Sequence, residues 1–350
     1  MNTRGKQYRT AVLIIVGVLT FFGALGGAAA LWWHNQFAAA LPEPPKDLPS
    51  AWPSQYAEQV RRVPMPTGEM VAALPKPTAG HVLCGAVPEQ TWAKILGGPV
   101  LREATTTGTC HVVTATLDVQ AELTGKAATS SMFGSPREMS VGERSGTVFG
   151  DQGGTGAELS VRLITAPDQD WITPFLFLHA RQNPYDRTRR DLPGLLQSLG
   201  EDIINAVTAA GLPLPKAEPD QTLPVRSVGP IAGSGIVDAA FPMIAWQLCT
   251  LLAQSAQRPI EEFVPKADGS CHYRKDENFG VQADYRDFPS SNGFSGRLGG
   301  RPALVEPPRV EIKLSDDSPQ WVRLAWLSPR KPEAELREWA GKLVPPLLGQ

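Results

Sequence analysis

The most one-sided stretch of the chain comes first. From Thr10 to Asn35 no Asp, Glu, Lys or Arg interrupts a run rich in Leu, Ile, Val and Phe. A helix of about 23 residues crosses a hydrocarbon layer of about 30 Å, and a backbone in lipid must satisfy its own amides, so the run predicts a transmembrane helix over residues 10–33. Trp32 and Trp33 close it at headgroup depth; Arg4, Lys6 and Arg9 precede it, while the first charge beyond it is Glu43. That asymmetry leaves residues 1–9 as a cytoplasmic tail and places the bulk of the chain on the far side of the membrane. Small-residue triplets at Ala28 to Ala30 and Ala38 to Ala40 also fit a cleaved signal peptide, but the apolar run exceeds the roughly 7 to 15 residues of a signal core.

Beyond the run the pattern changes to proline and then to alternation. Prolines recur from Pro42 to Pro77 and again from Pro213 to Pro230, and proline blocks both helix propagation and central-strand pairing. The reading is a stalk over residues 34–77, a first folded region over 78–211, a linker over 212–230 and a second folded region over 231–350. In the first region Pro88 suits the start of a helix and Gly97-Gly98 its end, with Trp92, Ile95 and Leu96 on one face. Val113, Ala115, Leu117, Val119 and Ala121 alternate with polar residues as a half-buried strand does. Leu192, Leu195, Leu196, Leu199, Ile203 and Val207 recur at helical spacing, with Gly211 as the stop. A second closing helix, from about Glu333 to Leu343, is expected to end at Pro345-Pro346.

Taken with Cys positions as the ruler, the two regions look like copies. Cys84 and Cys110 correspond to Cys249 and Cys271, and His111 and His272 follow the second Cys of each pair. Val119-Gln120-Ala121-Glu122 then matches Val281-Gln282-Ala283-Asp284, Leu159 to Leu163 matches Val310 to Leu314, and Trp171 matches Trp321. The Gly-rich stretch from Gly142 to Gly156 has no partner and reads as a lengthened hairpin loop. The expected fold class is therefore α+β: an N-terminal transmembrane helix followed by two similar domains, each an antiparallel sheet of three to five strands packed with a short N-terminal and a longer C-terminal helix.

Composition narrows the chemistry. With 33 Lys and Arg against 35 Asp and Glu the net charge is -2, which lacks the positive field a nucleic-acid partner needs. Four Cys in an exported chain, two per copy, predict disulfides; sequence alone permits three connectivities, and the repeat selects Cys84 with Cys110 and Cys249 with Cys271. A metal site would need His81 as a fourth ligand in the first copy and finds no counterpart near Cys249. His111 and His272, one residue along an alternating strand, point to the opposite face from their Cys neighbours.

Phosphate-cradling loops, GxSxG and HExxH are absent: Gly233-Ser234-Gly235 lacks its third Gly, and Gly293-Phe294-Ser295-Gly296 is followed by Arg297. No cofactor is predicted. Ser328-Pro329-Arg330-Lys331 matches SxxK, but its position after a strand suits a turn, and no SDN or KTG accompanies it. Asp168-Gln169-Asp170 reads as a solvated hairpin turn and Arg187 to Arg190 as a solvated basic loop.

An N-terminal anchor, a Pro-rich stalk and a domain with Cys84, a short helix, Gly97-Gly98 and Cys110 resemble the extracytoplasmic lipoprotein-type domains of actinobacteria, in particular the DUF3558 type, whose members are mostly of unknown function. The chain departs from that pattern in lacking a Cys just after the apolar run and in carrying two copies. The resemblance implies a place in the cell envelope. The expectation is a membrane-anchored, non-catalytic protein presenting two disulfide-stapled domains to an envelope protein, a wall polymer or a small ligand. The alternative is an envelope hydrolase or transferase with an unrecognised site.

Overall fold

The computed structural model describes residues 57–64, 68–150, 153–165, 172–184, 186, 188–209, 213–274, 276–284, 293–316, 320–326 and 332–350; of residues 57, 58, 77, 276–284 and 326 it describes the backbone alone. The segment 10–33 lies outside the described residues, and among those described no helix is long and apolar enough to cross a membrane.

Alternation of buried and half-buried positions dominates the chain. In β4 (Leu117–Thr124) the residues Leu117, Val119, Ala121 and Leu123 are buried and the residues between them half-buried, the signature of a strand with one face on a core. β1 (Ala57–Gln59), β2 (Leu101–Thr105), β3 (Cys110–Val113), β5 (Arg137–Val141), β6 (Arg144–Phe149), β7 (Gly156–Arg162) and β8 (Phe175–Gln182) join it in an eight-stranded antiparallel sheet of order β1-β2-β3-β4-β8-β7-β6-β5. A second antiparallel sheet holds β9 (Phe263–Pro265), β10 (Ser270–Tyr273), β11 (Asp276–Asp284), β12 (Gly296–Leu298), β13 (Arg301–Glu306), β14 (Arg309–Lys313) and β15 (Trp321–Trp326) in the order β12-β13-β14-β15-β11-β10-β9. Counted from its other edge, the second sheet repeats the strand order of the first without β1.

Each sheet carries two helices on one face. α1 (Lys76–Ala86) packs on β2, β3 and β4, and α3 (Leu192–Val207) on β5, β7 and β8; α4 (Met243–Ala256) packs on β9, β10 and β11, and α5 (Glu333–Leu347) on β12, β13 and β14. α2 (Glu89–Leu96) starts after Pro88 and stops at Gly97, whose φ of 78° only glycine adopts cheaply. α3 is held by its N-cap Asp191, which accepts the Gly194 amide, and by a buried stripe of Leu192, Leu196, Leu199, Ile203 and Val207. Truncating one such leucine to Ala costs about 2–5 kcal/mol.

The fold is mostly sheet with a few helices, which corrects the α+β expectation of two small sheets of three to five strands each. The strands that were missed have identifiable causes. Val113 to Ala121 is a hairpin and not one strand, because the Thr114 hydroxyl accepts the amides of Thr116 and Leu117 and turns the chain without Gly or Pro. The Gly142 to Gly156 stretch contains β6, reached through a tight turn at Gly142 (φ 56°) and left at Gly150 (φ 109°); β13 is its counterpart.

The Pro-rich stretches each hold some residues packed into the fold. β1 pairs with β2, and Met70 to Leu74, within or just after the 3-10 turn Gly68–Ala73, are buried. In the connector Leu223 is buried and its amide donates to the Pro265 carbonyl. α5 continues through Pro345 and Pro346 into its last turn. One buried apolar cluster contains residues of both halves, and a smaller one joins Met70, Ala217, Leu223, Ala245, Trp246 and Ala267 where the 3-10 turn, the connector and α4 meet.

Candidate functional site

The feature that the two halves share most closely is a short run before and within the second strand of each sheet. It reads Gly108-Thr109-Cys110-His111 in the first half and Gly269-Ser270-Cys271-His272 in the second. Cys110 points into the core and bonds to Cys84 on α1; Cys271 bonds to Cys249 on α4, with Cα–Cα separations of 5.1 and 5.3 Å. All four sulfurs belong to buried residues, and each bond fastens the first helix of its half to the sheet beneath. Closing loops of 26 and 22 residues constrains the unfolded chain by roughly 3 kcal/mol each. His81 is buried, and its Nδ1 accepts the Arg61 amide at 3.2 Å.

Gly108 and Gly269 were not singled out from the sequence, although the shared run makes them visible. Both hold positive φ, 96° and 86°. A Cβ at 108 would run into the backbone carbonyl of Lys76 at the start of α1, and one at 269 into the Phe241 ring just ahead of α4. The glycines let each hairpin turn slide under the start of the helix that its neighbouring Cys clamps.

The histidines face away from the disulfides. His111 Nε2 lies 2.9 Å from Asp118 Oδ1, and its Nδ1 is 4.0 Å from Glu103 Oε2. The hydrogen bond to Asp118 lifts the His111 pKa above its ordinary value against the opposing effect of burial, and the charges of Asp118 and Glu103 add to the lift. Burial works to raise Asp118, but the His111 bond and charge outweigh it and Asp118 ends below the usual carboxylate range. Asp118 thus holds Nε2, while Nδ1 faces Glu103 at a distance too long for a hydrogen bond.

Cross-strand register extends the cluster into a polar row: Glu103 opposite His111, His111 opposite Gln120, Gln120 opposite His179 and His179 opposite Glu158. Phe133, from the loop after β4, packs its ring 5.5 Å from that of His179. It fits because Gly156 has no Cβ, whose place the Phe133 ring fills. His179 Nε2 is buried without a hydrogen-bond partner among the described residues. Next to the row, burial raises Glu122.

In the second half His272 meets a hydroxyl instead. Its Nε2 is 2.8 Å from Ser270 Oγ, which donates its proton to Asp268 Oδ1 at 2.6 Å. Asp, Ser and His are present together, but the wiring does not suit a serine nucleophile: the carboxylate holds the hydroxyl and not the imidazole, and Ser270 is buried. The trio locks the turn. Burial lowers the His272 pKa; the Asp268 charge opposes this and Lys266 adds to it.

Further along the same sheet Glu311 is fully buried, 2.8 Å from Arg323 Nε and 3.6 Å from Arg309 Nε. Burial raises its pKa in spite of both arginines. Arg323 also stands 5.0 Å over the Trp321 ring, as Arg162 stands 5.4 Å over Phe175 in the first sheet. Since Leu178 pairs with Leu159 and Leu324 with Val310, the register puts Trp321 in the place of Phe175 and not of Trp171.

Trp171, Asp168 to Asp170, Arg187 and Ser328 to Lys331 lie outside the described residues. Arg190 pairs with Asp186 at 3.5 Å. Gly233-Ser234-Gly235 forms a tight turn closed by a bridge between Ile231 and Gly235. Among the described residues no group of three or more His, Cys, Asp or Glu is placed to hold a metal ion. The chain matches no protein-family model, no curated protein and no solved structure.

Proposed function

We propose that this chain is an exported, membrane-attached, non-catalytic protein of the cell envelope, whose two disulfide-fastened halves present their outer sheet faces to an envelope protein or wall polymer. The observation that carries the reading is the pair of buried disulfides at equivalent places, since reducing cytoplasm keeps such thiols free. The uncharged run from Thr10 to Asn35 supplies a route out of the cytoplasm and an attachment to the membrane. The pairing of His111, Asp118 and Glu311 within the chain favours presentation of a fixed surface over proton transfer.

A tag at the C-terminus of the chain in spheroplasts tests the placement, and a photoreactive methionine at Met132, 88% exposed beside Phe133, tests the contact. Protease added outside is expected to remove the tag, and the photoreactive position to yield a discrete crosslinked product. A protected tag, or crosslinking to nothing in particular, would overturn the reading.

A further inference from the structure

Where the 3-10 turn Gly68–Ala73 meets the proline-rich connector and α4, the chain encloses a cleft of about 230 Å³. Its interior is apolar, with Met70 from the turn, Leu214 from the connector and Met243 and Trp246 from α4. The Trp246 ring is fixed, because its Nε1 donates to the Pro224 carbonyl at 2.7 Å. The two methionines are unbranched and adapt to the shape of what lies against them. A volume of roughly 30 Å³ per water-sized group gives room for about seven or eight heavy atoms.

The rim carries two exposed cations, Lys216 and Arg226. Arg226 is poised 5.1 Å over the Trp246 ring centroid. Neither cation has a carboxylate partner among the described residues. Glu69, on the same 3-10 turn, is already engaged: its Oε2 accepts the Leu214 amide at 2.9 Å. An apolar hollow with a few convergent polar groups is the usual anatomy of a small-ligand site, and a guanidinium stacked on an aromatic face still presents its N–H fork to a carboxylate.

We infer that this cleft binds a small amphipathic anion: an apolar chain or ring of about eight heavy atoms bearing a carboxylate, its apolar part against Trp246, Met70 and Met243 and its carboxylate at Arg226 and Lys216. The inference is independent of where the chain resides in the cell. Octanoate is a suitable probe, titrated calorimetrically into the full chain in phosphatidylcholine nanodiscs, with octanol and octylamine as uncharged and cationic equivalents and empty discs as the blank. Octanoate is expected to bind saturably at one site above the blank, with octanol and octylamine at least about tenfold weaker, the scale of one charge-assisted hydrogen bond.

The double variant Lys216→Ala, Arg226→Ala should still fold and melt cooperatively, a little below the parent for loss of the Arg226 stack on Trp246, yet lose octanoate affinity by about tenfold or more. With methyl-labelled methionine, the resonances of Met70 and Met243 should be the ones that move. Octanoate no better bound than octanol, an unchanged double variant, shifts confined to other methionines, or no binding above the blank would each overturn the inference.

Discussion

The outer faces of the two sheets differ far more than the frames behind them. In both halves a glycine turn slides under a helix, a cysteine clamps that helix and a histidine points outward. On the first sheet the histidine enters a row of carboxylates and amides partly covered by Phe133. On the second its counterpart bonds to a buried serine, and the charge sits further along, in Glu311 between two arginines. Register makes the exchange specific. Leu159 corresponds to Val310, so the position of Glu311 is held in the first sheet by Ser160, whose hydroxyl accepts the amide of Ala128 and pins the covering loop. The inward frame is thus shared and the outward face is individual, so one repeated strand order carries two different outer faces.

Removing the clamps should have the largest effect. Replacing both cysteines of one half by Ala should cost about 3–4 kcal/mol on the loop-entropy account. The loops are of similar length, so the two halves should lose similar amounts in chemical unfolding; a marked inequality would break the equivalence of the frames.

The turn glycines come next, and here too the halves should agree. Ala is strained at positive φ by about 1–2 kcal/mol. At Gly108 the obstacle is a backbone carbonyl and at Gly269 the fully buried Phe241 ring, and neither can move aside freely. Gly108→Ala and Gly269→Ala are therefore each expected to cost about 2–3 kcal/mol, measured in the same way. A marked difference would mean that the two turns do not pack alike.

The smallest effect is the most specific. By proton NMR, His111 should titrate above its ordinary value near 6.5 and His272 below it. The consequences for stability have opposite signs. The His111 contribution is complete below about 6.5, its unfolded value, and fades as pH rises through the higher folded value. That of His272 is complete above about 6.5 and fades as pH falls through the lower folded value. Asp118→Asn removes the charge and weakens the bond that lift His111, so the His111 titration should move down while that of His272 stays in place. Movement of both would contradict the separation of the two clusters.

Much of the inward frame was legible in the sequence, because burial writes a period into it. α2 was marked by Pro88 and Gly97, α3 by its leucines and the disulfide partners by the repeat. Turns without Gly or Pro left no such mark, which is why Thr114 hid a hairpin and the count of strands fell short. Matching Val119-Gln120-Ala121 to Val281-Gln282-Ala283 also misplaced the register. In the sheets Cys110 pairs with Ala121 and Cys271 with Val281, so Val281 stands for Ala121 and not for Val119, with a bulge between His272 and Tyr273 in the second hairpin. The outer row escaped because Glu103, Gln120 and His179 are far apart along the chain and only strand pairing brings them together.

The state of the four cysteines in living cells tests the central claim most directly. Whole cells would be treated with a thiol-blocking reagent before lysis, and the chain digested without reductant and mapped by mass. The account predicts Cys84 linked to Cys110 and Cys249 to Cys271, with none of the four blocked. Blocked thiols at these positions, or bridges crossing between the halves, would contradict it.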